Sequence, residues 1–336
     1  MKLTIGIPLY NVEKYFHRTM KSVLNQSYKD YEILLVDDGS VDNTGKICDE
    51  YAKEYPFVRV IHQSNHGLAY SRNVINKEAK GEYVSSIDGD DIIHPDYYKR
   101  MVGVLEDSGL PVVKCQREYL DKGEKPTFKP IGEGYEVITT KEAFENDLLM
   151  LKRAKLVEGM CTKLWRRDVL QNVKFNDTLR NEEDTLFVAE MLFEFDKFAL
   201  ISDILYFVVS NETSITCNPK NCERNLLSAI ESKKCLIEFI KERDSKALGL
   251  IVNNSLFHIF EEYAYWRGKG ATIPASVSEI IINTFAPYEN MLNFMIKKQY
   301  MALKTGKDKT ISFYHKKTLR SIYKRFMRYE TYRSKH

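Results

Sequence analysis

Short hydrophobic segments alternate with segments of helical periodicity over the first hundred residues. Runs of apolar side chains predict four strands, at residues 3–9, 32–36, 58–62 and 83–87. Between them, apolar side chains recur every three or four positions, which predicts helices at residues 12–25, 42–55 and 68–79 and a fourth from residue 96. This alternation predicts an α/β fold in which a mostly parallel sheet has helices on both faces.

The pattern changes after Pro111. Further strands are predicted at residues 111–119, 135–139 and 198–209, and helices at residues 183–193 and from Thr140 to about Lys152. Residues 221–268 follow helical periodicity, with weak breaks between 244 and 249. We therefore predict three regions: an α/β domain at 1–215, a helical extension at 216–296, and a basic amphipathic tail at 297–336.

The tail accounts for a marked charge asymmetry. Residues 297–336 contain thirteen Lys and Arg against two Asp and Glu, a net charge of +11, so the preceding residues carry −8 of the overall +3. Apolar side chains at helical spacing are Leu319, Ile322, Tyr323, Phe326 and Tyr329. Interspersed basic side chains are Lys316, Lys317, Arg320, Lys324, Arg325 and Arg328.

This pattern predicts a helix lying in the plane of an anionic membrane surface. One alternative is a solvated helix packed on its own domain. Nucleic acid is disfavoured as a partner because no nucleic-acid-binding module accompanies the basic residues.

Composition and cysteine usage indicate a globular protein in a reducing compartment. Hydrophobic residues make up 43% of the 336, enough for a packed core, and none of the six cysteines forms a C-x-x-C pair. Pro8 interrupts the first apolar run, so no export signal is expected, and no stretch of about 18 apolar residues predicts a membrane span. We expect a cytoplasmic protein held peripherally at the inner face of the plasma membrane.

Three carboxylates follow the fourth predicted strand: Asp88, Asp90 and Asp91. Ligands of parallel sheets bind beyond the carboxyl ends of the strands. Like charges this close repel by about 1 kcal/mol per pair at ~4 Å in water, and a divalent cation relieves that repulsion. Mg²⁺ and Mn²⁺ favour one or two carboxylates together with substrate phosphates. The sequence therefore favours a metal site here over a solvated Asp-Gly turn.

Two other acidic pairs are candidates for the same site. Asp37 and Asp38 end the second strand, where a carboxylate can accept a hydrogen bond from a base or a ribose. The alternative is an Asx-capped turn, and the segment alone does not separate the two. Glu183 and Asp184 begin a predicted helix, where acidic residues are favoured by the helix dipole without any catalytic role.

In order and spacing, these segments resemble family 2 of the inverting glycosyltransferases, which have the GT-A fold. The matching segments are Ile7-Pro8-Leu9-Tyr10-Asn11, residues 22–28, residues 36–44, Gly67-Leu68-Ala69 with Arg72-Asn73, Asp88-Gly89-Asp90-Asp91 with Pro95, Lys163-Leu164-Trp165, and Glu183-Asp184-Thr185-Leu186-Phe187. The resemblance covers about the first 215 residues and implies a Rossmann-like GT-A domain.

The resemblance also implies roles for individual residues. Pro8 and Tyr10 correspond to the segment beside the nucleobase, and Asp38 corresponds to the residue that pairs with uracil. Asp88 corresponds to the residue near the ribose, and Arg72 to a donor-site position. Asp90 corresponds to the metal ligand and Asp184 to the general base. Lys163 and His66 are weaker candidates. One departure concerns the segment before Ser214-Ile215-Thr216, where members often carry an aromatic–Arg pair and this chain has no Arg.

The expected activity is transfer of a sugar, with inversion, from a UDP-sugar to a hydroxyl of a lipid-linked saccharide, with Mn²⁺ or Mg²⁺ as cofactor. A sugar nucleotidyltransferase of related fold is disfavoured because residues 8–11 contain no Gly-rich phosphate loop. A non-catalytic sugar-nucleotide-binding protein is disfavoured by the presence of Asp90 and Asp184. An NAD-dependent oxidoreductase is disfavoured because no G-x-G-x-x-G follows the first strand.

Overall fold

The computed structural model describes residues 1–140, 159–211, 219–244 and 246–307. The chain forms two compact units. The first comprises the described residues within Met1–Ala143, Leu156–Thr178 and Glu183–Glu212, and the second comprises those within Leu179–Glu182 and Thr213–His336. The predicted helix after Thr140, the Ser214–Thr216 segment and the apolar and basic residues of the tail beyond 307 lie outside the described residues.

The first unit contains nine strands and six helices among its described residues. The strands are β1 (Leu3–Leu9), β2 (Tyr31–Asp37), β3 (Val58–His62), β4 (Tyr83–Ser86), β5 (Ile92–Ile93), β6 (Val112–Leu120), β7 (Glu136–Thr139), β8 (Lys163–Arg166) and β9 (Lys197–Val209). The helices are α1 (Glu13–Leu24), α2 (Thr44–Glu54), α3 (Leu68–Glu78), α4 (Tyr97–Ser108), α5 (Arg167–Leu170) and α6 (Glu183–Met191).

All nine strands belong to one sheet. Its order is β3-β2-β1-β4-β8-β6-β9-β5, with β7 paired to β9. β3, β2, β1 and β4 run parallel, as predicted, and β6 is parallel to β9. β8, which the periodicity did not predict, lies antiparallel between β4 and β6, so the sheet is mixed beyond β4. The α/β class is confirmed.

Helices cover both faces of the parallel strands. Successive side chains of β1 point to opposite faces of the sheet, so both faces present side chains to these helices. Ile5 and Ile7 belong to one hydrophobic cluster with Phe16 and Met20 of α1 and Met101 of α4. The intervening residue of β1, Gly6, points to the other face, which α3 covers. A Cβ atom at Gly6 would lie 2.2 Å from Cγ2 of Ile75, so the absence of a side chain is what lets α3 approach the sheet.

The second unit is helical. Its longer helices are α7 (Cys222–Arg243), α8 (Leu248–Gly268), α9 (Ala275–Phe285) and α10 (Phe294–Lys304). The Asn253 side chain on α8 donates to the Met291 carbonyl oxygen at 2.8 Å and accepts from the Asn293 amide at 2.8 Å. Asn293 in turn caps α10 by accepting from the Ile296 amide at 3.1 Å.

The predicted start of the tail, at Lys297, falls inside α10. Ile296, Tyr300 and Leu303 of this helix are buried, and the Tyr300 hydroxyl donates to the Ile282 carbonyl oxygen at 2.8 Å. Residues 297–304 are therefore packed in the second unit. In the described part of the chain, no helix is long and apolar enough to cross a membrane.

We predict that Gly6→Ala lowers the free energy of unfolding by about 1–3 kcal/mol, because the new methyl group overpacks the β1–α3 contact. Ile75→Ala alone should cost about 2–5 kcal/mol through the cavity it leaves. The double variant should lose less than the sum, because each change relieves the other. Urea denaturation measures all three.

Gly103→Ala is the matched control. Gly103 lies within α4, and a Cβ there would meet nothing within 4 Å. This change should be neutral or stabilise by about 0.5–1 kcal/mol, since Ala is the better helix former. Strict additivity of Gly6→Ala and Ile75→Ala would contradict the proposed contact.

Candidate active site

The loop after β2 is fastened to the loop after β3 by Asp38. This carboxylate is buried and accepts hydrogen bonds from the amides of His66 at 2.9 Å and Gly67 at 2.7 Å, and from the Gln63 side chain at 2.7 Å. Its neighbour Asp37 pairs with His62 at 2.9 Å, which raises the pKa of that imidazole. Asp38 therefore shapes the loop, and its predicted contact with uracil stays a prediction.

The loops after β1 and β2 are joined by Asn11. Its amide donates to the Ser40 hydroxyl at 3.0 Å, and its side-chain oxygen accepts from the Val41 amide at 2.9 Å. Asn11 adopts a left-handed conformation, with φ 52°, which Asn tolerates better than most residues. Pro8 lies within β1, and Tyr10 at its end is 43% exposed. The Tyr10 ring is thus accessible, and its predicted place beside the nucleobase stays a prediction.

The three carboxylates after β4 have different surroundings. Asp91 is buried and accepts from the Tyr206 hydroxyl at 2.7 Å and the Val209 amide at 2.9 Å, both on β9. Asp90 accepts from the side chain of Asn211, just beyond β9. Asp88 is the most open, with its side chain 34% exposed. Asp91 therefore holds the loop to the sheet, whereas Asp88 and Asp90 are less deeply buried.

Burial and mutual repulsion shift the ionisation of this loop. Loss of solvent and the charge of Asp88 raise the pKa of Asp90 to about 6, against the hydrogen bond from Asn211. The pKa of Asp91 is raised in the same sense by burial and by Asp90. Two carboxylates on one loop whose charges are unfavourable together suit a divalent cation. Among the described residues, no group of three His, Cys, Asp or Glu side chains could hold a metal by itself.

Arg72, on α3, connects this loop to the predicted catalytic segment. Nη2 of Arg72 lies 3.2 Å from Oδ1 of Asp88, and its Nη1 lies 2.7 Å from Oε1 of Glu183, the first residue of α6. The guanidinium is 4% exposed and also lies over the ring of Phe175. Despite its burial, the charges of Asp88, Glu183 and Asp184 raise the pKa of Arg72.

The two carboxylates at the start of α6 also differ. Glu183 is buried, and loss of solvent raises its pKa to about 7 although Arg72 acts in the opposite direction. Asp184 is half-buried, and its Oδ2 accepts from the Gly159 amide at 3.0 Å. Glu183 thus pairs with Arg72, while Asp184 is the more accessible of the two.

The structure places Asp88 and Asp184, two of the predicted site residues, in the electrostatic surroundings of a third, Arg72. The periodicity missed Tyr206, Asn211 and Gly159, which hold Asp91, Asp90 and Asp184. Their only sequence signal is position: Tyr206 and Asn211 lie at the end of β9, and Gly159 lies shortly before the Lys163-Leu164-Trp165 segment. The partners are too distant in sequence for any local pattern to reveal.

The profile of glycosyl transferase family 2 matches residues 4–173, about half of the chain. The chain is 31% identical over 216 residues to the uncharacterized glycosyltransferase EpsJ of Bacillus subtilis, an overlap that covers 64% of this chain and 62% of EpsJ. The chain therefore spans less than two thirds of the length of this relative.

Two solved structures share the architecture. TarS 1–349 of S. aureus, in complex with UDP-GlcNAc, superposes with a TM-score of 0.59 at 20% identity, over 94% of this chain and 91% of TarS 1–349. The mannosyltransferase PcManGT from Pyrobaculum calidifontis, in complex with GDP-Man and Mn²⁺, gives a TM-score of 0.52 at 15% identity, over 97% and 84% of the two chains. These likenesses confirm the GT-A fold.

We predict that Glu183→Gln changes how stability depends on pH. The pKa of Glu183 is raised from 4.5 to about 7 in the folded protein. Such a group makes its full contribution to stability at pH values below its pKa in the unfolded state. That contribution is lost as the pH rises towards its pKa in the folded state. The wild type should therefore lose stability between about pH 4.5 and 7 through this group, and Gln, which cannot ionise, should not. Thermal unfolding at pH 5 and pH 8 measures the difference.

The melting temperature of Glu183→Gln relative to wild type should rise from pH 5 to pH 8. Glu50→Gln, at an exposed position of α2, is the matched control and should show no such trend. If the melting temperatures of Glu183→Gln and wild type differ by the same amount at both pH values, the raised pKa assigned to Glu183 is contradicted.

Proposed function

This chain belongs to glycosyl transferase family 2, and we propose that it transfers a sugar from a nucleotide diphosphate sugar to an acceptor hydroxyl, with inversion at the anomeric carbon. The observation that carries the proposal is the buried Arg72, which binds Asp88 on the loop after β4 and Glu183 beside Asp184. A donor-side carboxylate and a candidate general base thus share one charge network.

We propose a UDP-sugar as the donor. Support comes from the resemblance at Asp38 and from TarS, which has been solved with UDP-GlcNAc. PcManGT was solved with GDP-Man, so the fold accommodates more than one base. In this chain the loop that Asp38 holds and the exposed Tyr10 ring would border the base, and Asp88 would face the ribose.

We propose that Asp90, assisted by Asp88, holds Mn²⁺ or Mg²⁺ together with the donor phosphates. The two carboxylates fit such an ion because burial and the charge of Asp88 already raise the pKa of Asp90, and because these metals use few protein carboxylates when phosphates complete the shell. When bound, the ion neutralises charge that develops on the departing diphosphate. The Asn211 amide orients the Asp90 carboxylate.

Asp184 is proposed as the general base. A sugar hydroxyl is a weak nucleophile, and a positioned carboxylate can take its proton as the oxygen attacks the anomeric carbon. The bond from that carbon to the diphosphate oxygen breaks with its electron pair, and attack from the opposite face inverts the centre. The Gly159 amide donates to Oδ2 of Asp184, and Oδ1 would take the acceptor proton.

The acceptor is proposed to be a saccharide, lipid-linked at the inner face of the plasma membrane. The basic tail supports this location. So does the exposed side of α10, where Phe294 is 74% exposed and Met301, Lys297 and Lys298 are also exposed. An aromatic ring and lysines on one helix suit the interface of an anionic bilayer.

We predict that UDP release from one member of a panel of UDP-sugars, with Mn²⁺ or Mg²⁺, falls at least about 100-fold in Asp184→Asn and in Asp90→Ala, because each removes a group on which the transition state depends. Asp30→Asn is the control, since Asp30 precedes β2 at the opposite end of the strand from the site. The panel is tested first without and then with saccharide acceptors.

Wild-type rates in Asp184→Asn would contradict the assignment of the base. UDP binding without turnover of any donor, with or without acceptor, would favour a non-catalytic sugar-nucleotide-binding protein. Pyrophosphate formation from a sugar phosphate and UTP would favour a nucleotidyltransferase.

We predict that Lys316→Glu, Arg320→Glu and Lys324→Glu together weaken binding to vesicles containing phosphatidylglycerol by about 100-fold or more, because each basic residue contributes ~1 kcal/mol at an anionic surface. Co-sedimentation with and without phosphatidylglycerol in phosphatidylcholine measures this. The control variant carries Lys21→Glu, Lys46→Glu and Lys53→Glu, exposed residues of α1 and α2 that change the net charge equally. If both variants lose vesicle binding to the same extent, the proposed role of the tail is contradicted.

A further inference from the structure

A buried lysine lies next to the candidate general base. Lys163, the first residue of β8, is 1% exposed, and its Nζ donates to the Gly159 carbonyl oxygen. The Thr162 hydroxyl donates to the same oxygen at 3.4 Å. The amide of Gly159 donates to Oδ2 of Asp184 at 3.0 Å. One residue, Gly159, therefore connects the lysine to the carboxylate.

Gly159 is poorly replaceable by another residue. Its φ of 73° is in the left-handed region, and a Cβ atom there would lie 2.8 Å from Nη1 of Arg117. Its amide and its carbonyl group are separated by only two backbone rotations, φ and ψ, so a hydrogen bond that holds the carbonyl oxygen restrains the amide that contacts the Asp184 carboxylate. Lys163 holds that oxygen from within the sheet, where β8 pairs with both β4 and β6.

We propose that Lys163 is a positioning residue for the reaction: by binding the Gly159 carbonyl oxygen, it sets the Gly159 amide that orients the Asp184 carboxylate towards the acceptor hydroxyl. This inference rests on the proposed function, because it assigns Asp184 as the base.

The electrostatic surroundings of Lys163 support this arrangement. Burial and the charge of Lys114 lower the pKa of Lys163 to about 7, while Asp184 acts to raise it and Arg117 to lower it further. Cys161 acts in the same direction as Asp184. A lysine kept in such an unfavourable environment forms a specific hydrogen bond that an apolar side chain of the same size could not replace.

The test compares Lys163→Ala with Lys114→Ala in the full chain. Lys114 is the register partner of Lys163 on β6 and is also buried, but its Nζ donates to the Cys115 carbonyl oxygen. We expect Lys163→Ala to lower kcat about 10- to 100-fold, with the KM for the UDP-sugar and the Kd for UDP changed less than threefold, because only the base is misplaced. Lys114→Ala should keep kcat within about threefold.

Chemical rescue separates positioning from loss of structure. Ethylamine should restore part of kcat in Lys163→Ala by occupying the vacated site, whereas ethanol at the same concentration should not, and neither should affect Asp184→Asn. If Lys163→Ala proves insoluble, Lys163→Met, which preserves volume, should show the same loss of kcat. Thermal unfolding verifies that the compared variants are folded at the assay temperature.

Several outcomes would overturn the inference. They are an unchanged kcat in folded Lys163→Ala or Lys163→Met, equal losses in Lys163→Ala and Lys114→Ala, and losses of kcat and UDP affinity together without rescue by ethylamine. If Asp184→Asn retains wild-type turnover, the proposed base is wrong, and with it the premise. If Asp184→Asn is inactive but the Lys163 variants are not, only the present inference fails.

Discussion

The arrangement of the site depends on one buried guanidinium. Arg72 lies between Asp88 and Glu183, and the residues it joins come from α3, the loop after β4 and the start of α6. Burying a charge is costly unless partners surround it, and removal of one partner from such a pair typically costs about 3–5 kcal/mol. The three segments are therefore constrained together. The Phe175 ring lies beneath the guanidinium and is stacked on the Phe187 ring of α6, with 3.9 Å between the ring centroids.

Burial raises the pKa values of two carboxylates at the site, those of Glu183 and Asp90. The pKa of Glu183 is raised even though it contacts Arg72 directly, because loss of solvent outweighs the attraction. The pKa of Asp90 is raised by burial and by Asp88. Shifted carboxylate pKa values of this kind cluster at functional sites.

Much of the first hundred residues was predictable because each element there is long enough to show its period. β1 to β4 and α1 to α3 match their predicted positions to within about two residues, the usual margin at helix and strand ends. β8 was not predictable, because four residues, two of them basic, carry no strand signal. Its lysine is buried only because the strand lies between β4 and β6, which is a property of the tertiary fold.

For the acidic loop after β4, the surroundings of individual side chains were likewise not predictable from the sequence. Asp88, Asp90 and Asp91 are the same residue type, so residue type alone does not predict their different surroundings. Gly89 is required because a Cβ there would lie 2.5 Å from Cδ2 of Leu9 at the end of β1. Tyr206 and Val209, more than 110 residues away, then fix Asp91, whereas Arg72 contacts Asp88 and Asn211 contacts Asp90. The partners of each aspartate, and not the motif itself, therefore distinguish the three carboxylates.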